Sequence, residues 1–283
     1  MDNAPPTVIA PRRVHLGKGA QVWVAGDDER GSSAARGGKQ ERVLLLHGWG
    51  LRPEVFLPSV RHLAGRGFEV AAPGLAVVGR RWDMDRAVHR VNRTLEELEW
   101  DRAIVVGYSL GGAIATSLAA AHPEHVRMLV LVNSVGLRVD RSVAGWAMPF
   151  TRYARTGNLK ALRAFGLNAL RIGGLQNLAA AGRYARFATL EEELIRVRSS
   201  GIPSIVLWGS DDRLLPPEMG RSIATLLDAP FHLIPGADHD WPVIDPALFA
   251  REIDHLLRTN PATERKRRLS GRRPKRASRR GTQ

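Results

Sequence analysis

The stretch from Ile104 to Ala115, IVVGYSLGGAIA, constrains the fold of this chain more than any other. It opens on an apolar, largely β-branched run, Ala103-Ile104-Val105-Val106, which suits a strand buried on both faces of a parallel sheet. The chain then turns through Gly107-Tyr108-Ser109-Leu110-Gly111 and continues as Gly112-Ala113-Ile114-Ala115-Thr116-Ser117-Leu118, which reads as a helix. This is G-x-S-x-G at a strand-to-helix junction. Side chains at the glycine positions would clash with neighbouring backbone, so the turn is tight. A tight turn of this kind pushes the Ser109 hydroxyl out of the sheet, beside the N-terminal N–H groups of the new helix. An exposed hydroxyl held in that way is presented as a nucleophile.

Strands and helices alternate on either side of this junction. Arg13–Leu16 and Gln21–Ala25 read as short strands joined at Gly17-Lys18-Gly19, and residues 26–40, rich in Gly, Ser and charge, as a long loop. Arg42–Leu46 is a buried strand ending in His47-Gly48-Trp49-Gly50, followed by a helix over about Glu54–Gly65 and a strand Phe68–Ala72. Ala87, Val88, Val91, Leu95 and Leu98 fall at helical spacing within 83–98. Arg127–Val132 is another strand. From about Ser134 to Ser200 the rhythm stops, and helical pieces are expected near 142–154, 159–170, 175–187 and 190–197. It resumes with Ser204–Trp208, a helix from Glu218 to Leu227, the strand Pro230–Ile234 and a last helix from Pro246 to Leu257. The expectation is an α/β chain with a mostly parallel central sheet covered on both faces. Residues 1–133 and 201–260 would form its core, and 134–200 an inserted helical cap.

Composition narrows the chemistry. The 283 residues include no cysteine, which excludes disulfides, thiolate metal sites and a cysteine nucleophile. No apolar run reaches the length of a membrane-spanning helix, and the first residues do not form a secretory leader, so a cytoplasmic location is expected. The formal charge of +14 is uneven: residues 261–283 hold ten Lys/Arg and one acid, and so +9 of the total. That low-complexity tail is expected to be disordered. With no aromatic residue in it, any weak contact with nucleic acid or an anionic surface would be to phosphates. No HExxH, cysteine cluster or dinucleotide-type glycine motif occurs in the right context, so no metal and no cofactor are expected.

A serine hydroxyl needs a base, and the base an orienting carboxylate. A parallel α/β sheet gathers such groups at the carboxyl ends of its strands. The strand 204–208 ends in Gly209-Ser210-Asp211-Asp212, and the strand 230–234 in Pro235-Gly236-Ala237-Asp238-His239. An acid and a histidine thus follow the serine in the order Ser, Asp, His.

At this point the chain resembles the α/β-hydrolase superfamily, in particular its cap-bearing single-domain enzymes. HGWG at 47–50 is similar to the oxyanion loop, GYSLGG at 107–112 to the nucleophile elbow, WGSDDRLLP at 208–216 to the acid loop and PGADHDWP at 235–242 to the histidine loop. The resemblance spans about residues 13–258. It implies Ser109 as nucleophile, His239 as general base, and Asp212, three residues after the glycine of W-G-x-x-D, as the acid. Asp211 is the alternative, with Asp238 and Asp240 behind it. The resemblance also implies the backbone N–H groups of Trp49 and Leu110 as oxyanion donors, and His47 as a brace for its loop. One segment departs from the pattern: Pro73–Arg80 lacks the acid and part of the turn that often follow this strand.

A serine nucleophile implies acyl transfer to the enzyme and then hydrolysis. An ester or thioester of a small to medium apolar substrate is the leading expectation, and hydrolytic C–C cleavage of a diketone-like metabolite the alternative. A non-catalytic or tail-tethered binding protein of the same fold is the remaining class. Trp146, Met148, Phe150, Tyr153, Phe165 and Leu167 are candidate cap residues facing the substrate. Cap arginines such as Arg138, Arg141 and Arg152 would instead suit an anionic one.

Overall fold

A computed structural model of the protein describes residues 9–17, 20–26, 40–75, 82–138 and 175–259. The strands are β1 (Arg12–Leu16), β2 (Ala20–Ala25), β3 (Glu41–Leu46), β4 (Phe68–Pro73), β5 (Ala103–Tyr108), β6 (Val126–Val132), β7 (Ser204–Gly209) and β8 (Phe231–Ile234). They form one sheet in the order β1-β2-β4-β3-β5-β6-β7-β8. The β1–β2 and β2–β4 pairs are antiparallel, and every later pair is parallel. The helices among the described residues are α1 (Leu57–Gly65), α2 (Met84–Glu97), α3 (Leu110–Ala121), α4 (Leu175–Phe187), α5 (Glu191–Ser199), α6 (Pro217–Leu227), α7 (Trp241–Ile244) and α8 (Pro246–Thr259).

The central strands are apolar along their whole length because both faces are covered. On β3, Leu44 and Leu46 join one core while Val43 and Leu45 join the other. The same alternation runs through β5, where Val105 faces one layer and Ile104 and Val106 the opposite one. The first core is closed by the apolar faces of α2, α3, α5 and α6, through residues such as Val91, Leu118, Leu194 and Ile223. The second is closed by α1 and α8, through Val60, Leu63, Phe249 and Ile253. Each such aliphatic side chain contributes roughly 1.5–3 kcal/mol on full burial. α2 begins where Asp83 caps it, its carboxylate accepting from the Arg86 N–H at 2.8 Å.

Of residues 134–200, the helical pieces expected near 142–154 and 159–170 lie outside the described residues, as do most of the loop expected at 26–40, residues 76–81 and the basic tail. The two later pieces are α4 and α5. α5 packs against α3 and α6, whereas α4 reaches over the loop that follows β3. No helix among the described residues is long and apolar enough to cross a membrane.

Because the strands from β4 onward are parallel, β3, β5, β6, β7 and β8 all end on one edge. Leu46 pairs with Gly107, Tyr108 with Val132, Val132 with Leu207 and Gly209 with Ile234. The residues immediately after these pairs are His47–Gly50, Ser109, Asn133, Ser210–Asp212 and Pro235–His239, so the sheet register alone brings them together.

Candidate active site

Ser109 sits between β5 and α3 at φ 55°, ψ −121°, a conformation L-residues avoid. Its own peptide groups hold it there. The Ser109 N–H donates to the Val132 carbonyl at 3.0 Å, and its carbonyl accepts from the N–H groups of Gly112 at 2.9 Å and Val135 at 3.0 Å. The glycines are there for space. A Cβ on Gly107 would lie 2.6 Å from the Gly111 carbonyl oxygen, and one on Gly111 would lie 2.3 Å from the Leu46 carbonyl oxygen. Only bare backbone lets α3 start this close to β3 and β5.

His239 follows β8 and is buried, with Nε2 3.1 Å from Ser109 Oγ and Nδ1 2.8 Å from Asp212 Oδ2. The carboxylate beside Nδ1 fixes the neutral tautomer, with the proton on Nδ1 and Nε2 free to accept from the serine. Burial by itself pulls the imidazole pKa down. The Asp212 carboxylate, with Asp240 and Asp238 adding to it, outweighs burial, and the pKa stands above its ordinary value. Of the two acids left open by the sequence, Asp212 is the one in contact. It is 3 % exposed, and its Oδ1 accepts from the N–H groups of Leu214 at 2.9 Å and Leu215 at 2.8 Å. Asp211 is exposed and accepts from the Ser210 hydroxyl. Asp240 accepts from the Tyr108 hydroxyl at 2.9 Å, and Asp238 from the Asp240 N–H at 3.0 Å, so both serve the loop carrying the histidine.

The 47–50 loop crosses directly over the serine. A Cβ on Gly48 would come within 3.1 Å of Ser109 Cβ and of the Tyr108 ring. His47 stabilises this loop: its Nε2 accepts from the Leu75 N–H at 3.3 Å and its Nδ1 donates to the Gly48 carbonyl at 3.0 Å. Burial holds its pKa down at about 4, so it stays neutral. Leu110 is the first residue of α3, where N–H groups have no acceptor within the helix. Trp49 and Leu110, the sequence-expected oxyanion donors, both line the cavity beside this loop.

Three contacts were not foreseen from sequence. The Trp49 indole N–H donates to the Leu178 carbonyl on α4 at 2.9 Å, and Gly182 makes room for its ring. The Trp82 N–H donates to Asn177 Oδ1 at 2.8 Å, and its ring meets Tyr184 edge-on at 5.3 Å. Asn133, just past β6, donates to Asp212 Oδ2 at 2.8 Å. Only the position of Asn133 at a strand end on the site's edge gave any signal in the sequence. Between α4, α3 and the 47–50 loop lies a slot lined by Trp49, Leu51, Leu75, Trp82, Ile114 and Leu178, among others. Among the described residues no charged side chain lines it, since His47 is neutral. Among the described residues no group of three or more His, Asp or Glu side chains is arranged to hold a metal ion.

A sequence model of the alpha/beta hydrolase family matches residues 43–252. The chain is 27% identical over 238 residues to a 2-hydroxy-6-oxo-6-(2'-aminophenyl)hexa-2,4-dienoic acid hydrolase of Metapseudomonas resinovorans, covering 74% of this chain and 80% of that one. It is 33% identical over 118 residues, 41% of this chain and 47% of the other, to a pimeloyl-[acyl-carrier protein] methyl ester esterase of Aromatoleum aromaticum. In three dimensions it is similar to a bacterial membrane phospholipase A, with a TM-score of 0.68 at 21% identity over 88% of this chain and 86% of that one.

Proposed function

The chain belongs to the alpha/beta hydrolase family, and from that premise we propose that it is a serine hydrolase that cleaves esters or thioesters of small to medium apolar substrates through an acyl-enzyme. The observation that carries this reading is the unbroken line from Ser109 Oγ to His239 Nε2 at 3.1 Å and from His239 Nδ1 to Asp212 at 2.8 Å. Ser109 Oγ attacks the carbonyl carbon and passes its proton to His239 Nε2. Asp212 stabilises the imidazolium that forms. The carbonyl oxygen becomes an oxyanion facing the amides of Trp49 and Leu110, an arrangement worth roughly 3–4 kcal/mol in comparable sites. His239 then gives the proton to the leaving alcohol or thiol. In the second half His239 takes a proton from water, which attacks the acyl carbon; as the Ser109–acyl bond breaks, His239 returns the proton to Ser109 Oγ and the carboxylic acid is released. We assign residues 134–200 as the cap over this site, and the slot beneath α4, whose described lining carries no charged side chain, supports an apolar substrate.

Labelling with a fluorophosphonate probe tests the reading. The folded protein should react at Ser109, and Ser109→Ala and the heat-denatured protein should not. Equal labelling of Ser109→Ala, or none of the wild type together with no turnover of p-nitrophenyl acetate, would overturn it. Similarity to the Metapseudomonas enzyme over 80% of its length favours C–C bond hydrolysis as the second reading. A vinylogous diketone turned over faster than simple esters would select it.

A further inference from the structure

Asp212 is a carboxylate with almost no access to water, and burying one is costly unless hydrogen-bond donors replace that water. Its four donors have three origins. Oδ1 takes the Leu214 and Leu215 N–H groups of its own loop. Oδ2 takes His239 Nδ1 and, from the end of another strand, Asn133 Nδ2 at 2.8 Å. Asn133 is itself fully buried, at 0 % exposure. Its Nδ2 also lies 3.1 Å from the Asp238 carbonyl and 3.3 Å from the His239 carbonyl. Its Oδ1 accepts from the Gly209 N–H at 3.1 Å and the Trp241 indole N–H at 3.2 Å. Two N–H donors on one side and a carboxylate with two carbonyls on the other leave a single orientation for the amide. Its backbone, at φ 43°, lies in the left-handed region that Asn tolerates better than most residues.

We infer that Asn133 is a positioning residue of the catalytic machinery, which holds the Asp212 carboxylate aimed at His239 while keying the acid loop to the histidine loop. The inference rests on the triad reading above. An aliphatic side chain in this position would leave Oδ2 with His239 as its one donor. A carboxyl would face Asp212 as a like charge.

The consequence is a shift in pH dependence. The acid limb of activity reports loss of the proton from His239. Among the described residues the charged or titratable groups facing that ring are Asp212 from the β7 loop, and Asp238 and Asp240 from its own loop, the last tied to Tyr108 of β5. Arg213 and Asp211, next to Asp212 in the chain, are exposed. Removing the amide takes away a donor that draws on the Asp212 charge, so the carboxylate attracts the imidazolium more strongly and the limb moves to higher pH. Placing a second carboxyl beside Asp212 adds negative charge near the imidazolium, and the limb moves further up.

Two variants separate this role from simple bracing. Asn133→Gly suits the backbone and removes the amide. Asn133→Asp keeps the shape and the acceptor contacts. Trp241→Phe is the control, because it loosens the same hub on the side away from Asp212. The readouts are kcat and KM on p-nitrophenyl acetate, and the rate of fluorophosphonate labelling, both against pH, with thermal melts alongside. Asn133→Gly should lower kcat about 10- to 100-fold, the scale of one lost hydrogen bond to a charged group, with KM nearly unchanged. The limb should rise in the order wild type, Asn133→Gly, Asn133→Asp, while Trp241→Phe keeps the wild-type limb. If Asn133→Gly does not fold, Asn133→Asp decides alone. Folded variants with an unmoved limb, an equal shift in Trp241→Phe, or loss of folding in both Asn133 variants would each overturn the inference. A wild type that is not labelled at Ser109 would sink the triad reading instead, so the two failures are distinguishable.

Discussion

The backbone of Ser109 makes a prediction that separates activity from stability. At φ 55°, ψ −121° the residue occupies a region natural to glycine and strained for any side chain. Strain of this kind costs about 1–3 kcal/mol and persists only where surrounding bonds enforce it. Here the enforcing bonds are those to Val132, Gly112 and Val135. Ser109→Gly and Ser109→Ala both lose the hydroxyl and its contact with His239, so that contribution cancels between them. What remains is the strain relieved by glycine, less the extra freedom glycine gives the unfolded chain, about 0.4–1 kcal/mol. Ser109→Gly should therefore be more stable than Ser109→Ala by about 0.5–2 kcal/mol, or roughly 2–6 °C in melting temperature for a domain of this size. Both variants should be inactive. Urea melts and calorimetry on the two proteins give the difference directly. Equal stabilities, or a more stable Ser109→Ala, would mean that the strain is no larger than the roughly 0.4–1 kcal/mol that glycine loses through the unfolded chain, below what these dihedrals should cost.

Two further perturbations follow from the same geometry. Gly111→Ala puts a Cβ 2.3 Å from the Leu46 carbonyl oxygen and 2.6 Å from that of His47, both backbone atoms that cannot swing aside. Urea melts should show a loss of about 3 kcal/mol, and fluorophosphonate labelling should drop further than folding does because the 47–50 loop is what moves. His47 tests pH dependence: its folded pKa of about 4 lies below the 6.5 of the free side chain, so between those values the unfolded chain binds a proton that the native chain does not. Wild type should then lose about 3 kcal/mol relative to His47→Gln as pH falls from 6.5 to 4, and parallel stability curves would refute a buried neutral imidazole. His239 has the opposite sign. Its raised pKa gives stability that is complete below pH 6.5 and lost as pH rises through its folded value.

The sheet was legible because strands buried on both faces must be apolar throughout, and such runs end where glycine, proline or polar residues begin. That logic places β3, β5, β6 and β7 to within two residues. It misplaces the start of α1, expected at Glu54 and found at Leu57 after a 3-10 turn over Pro53–Phe56. Pro58 has no N–H to donate back to the preceding turn, so regular α-helix hydrogen bonding starts late. The order Ser, Asp, His was also legible, because parallel strands deliver their carboxyl ends to one edge.

The choice between Asp211 and Asp212 shows where local pattern stops being sufficient. The two are adjacent, alike in chemistry and both just past β7. What separates them is that Asp212 turns inward to cap the Leu214 and Leu215 N–H groups, while Asp211 stays in solvent with Ser210. That inward turn has to be compensated from elsewhere, because its own loop supplies N–H donors to Oδ1 alone. The compensation comes from His239 and Asn133, which are 27 and 79 residues away in the chain. No periodicity or short motif encodes a donor at that separation. The same holds for the Trp49 indole on Leu178, 129 residues away. Ser109, Asp212 and His239 can be read from strand ends, but the amide that ties the acid loop to the histidine loop becomes visible only when β6 and β7 are laid side by side.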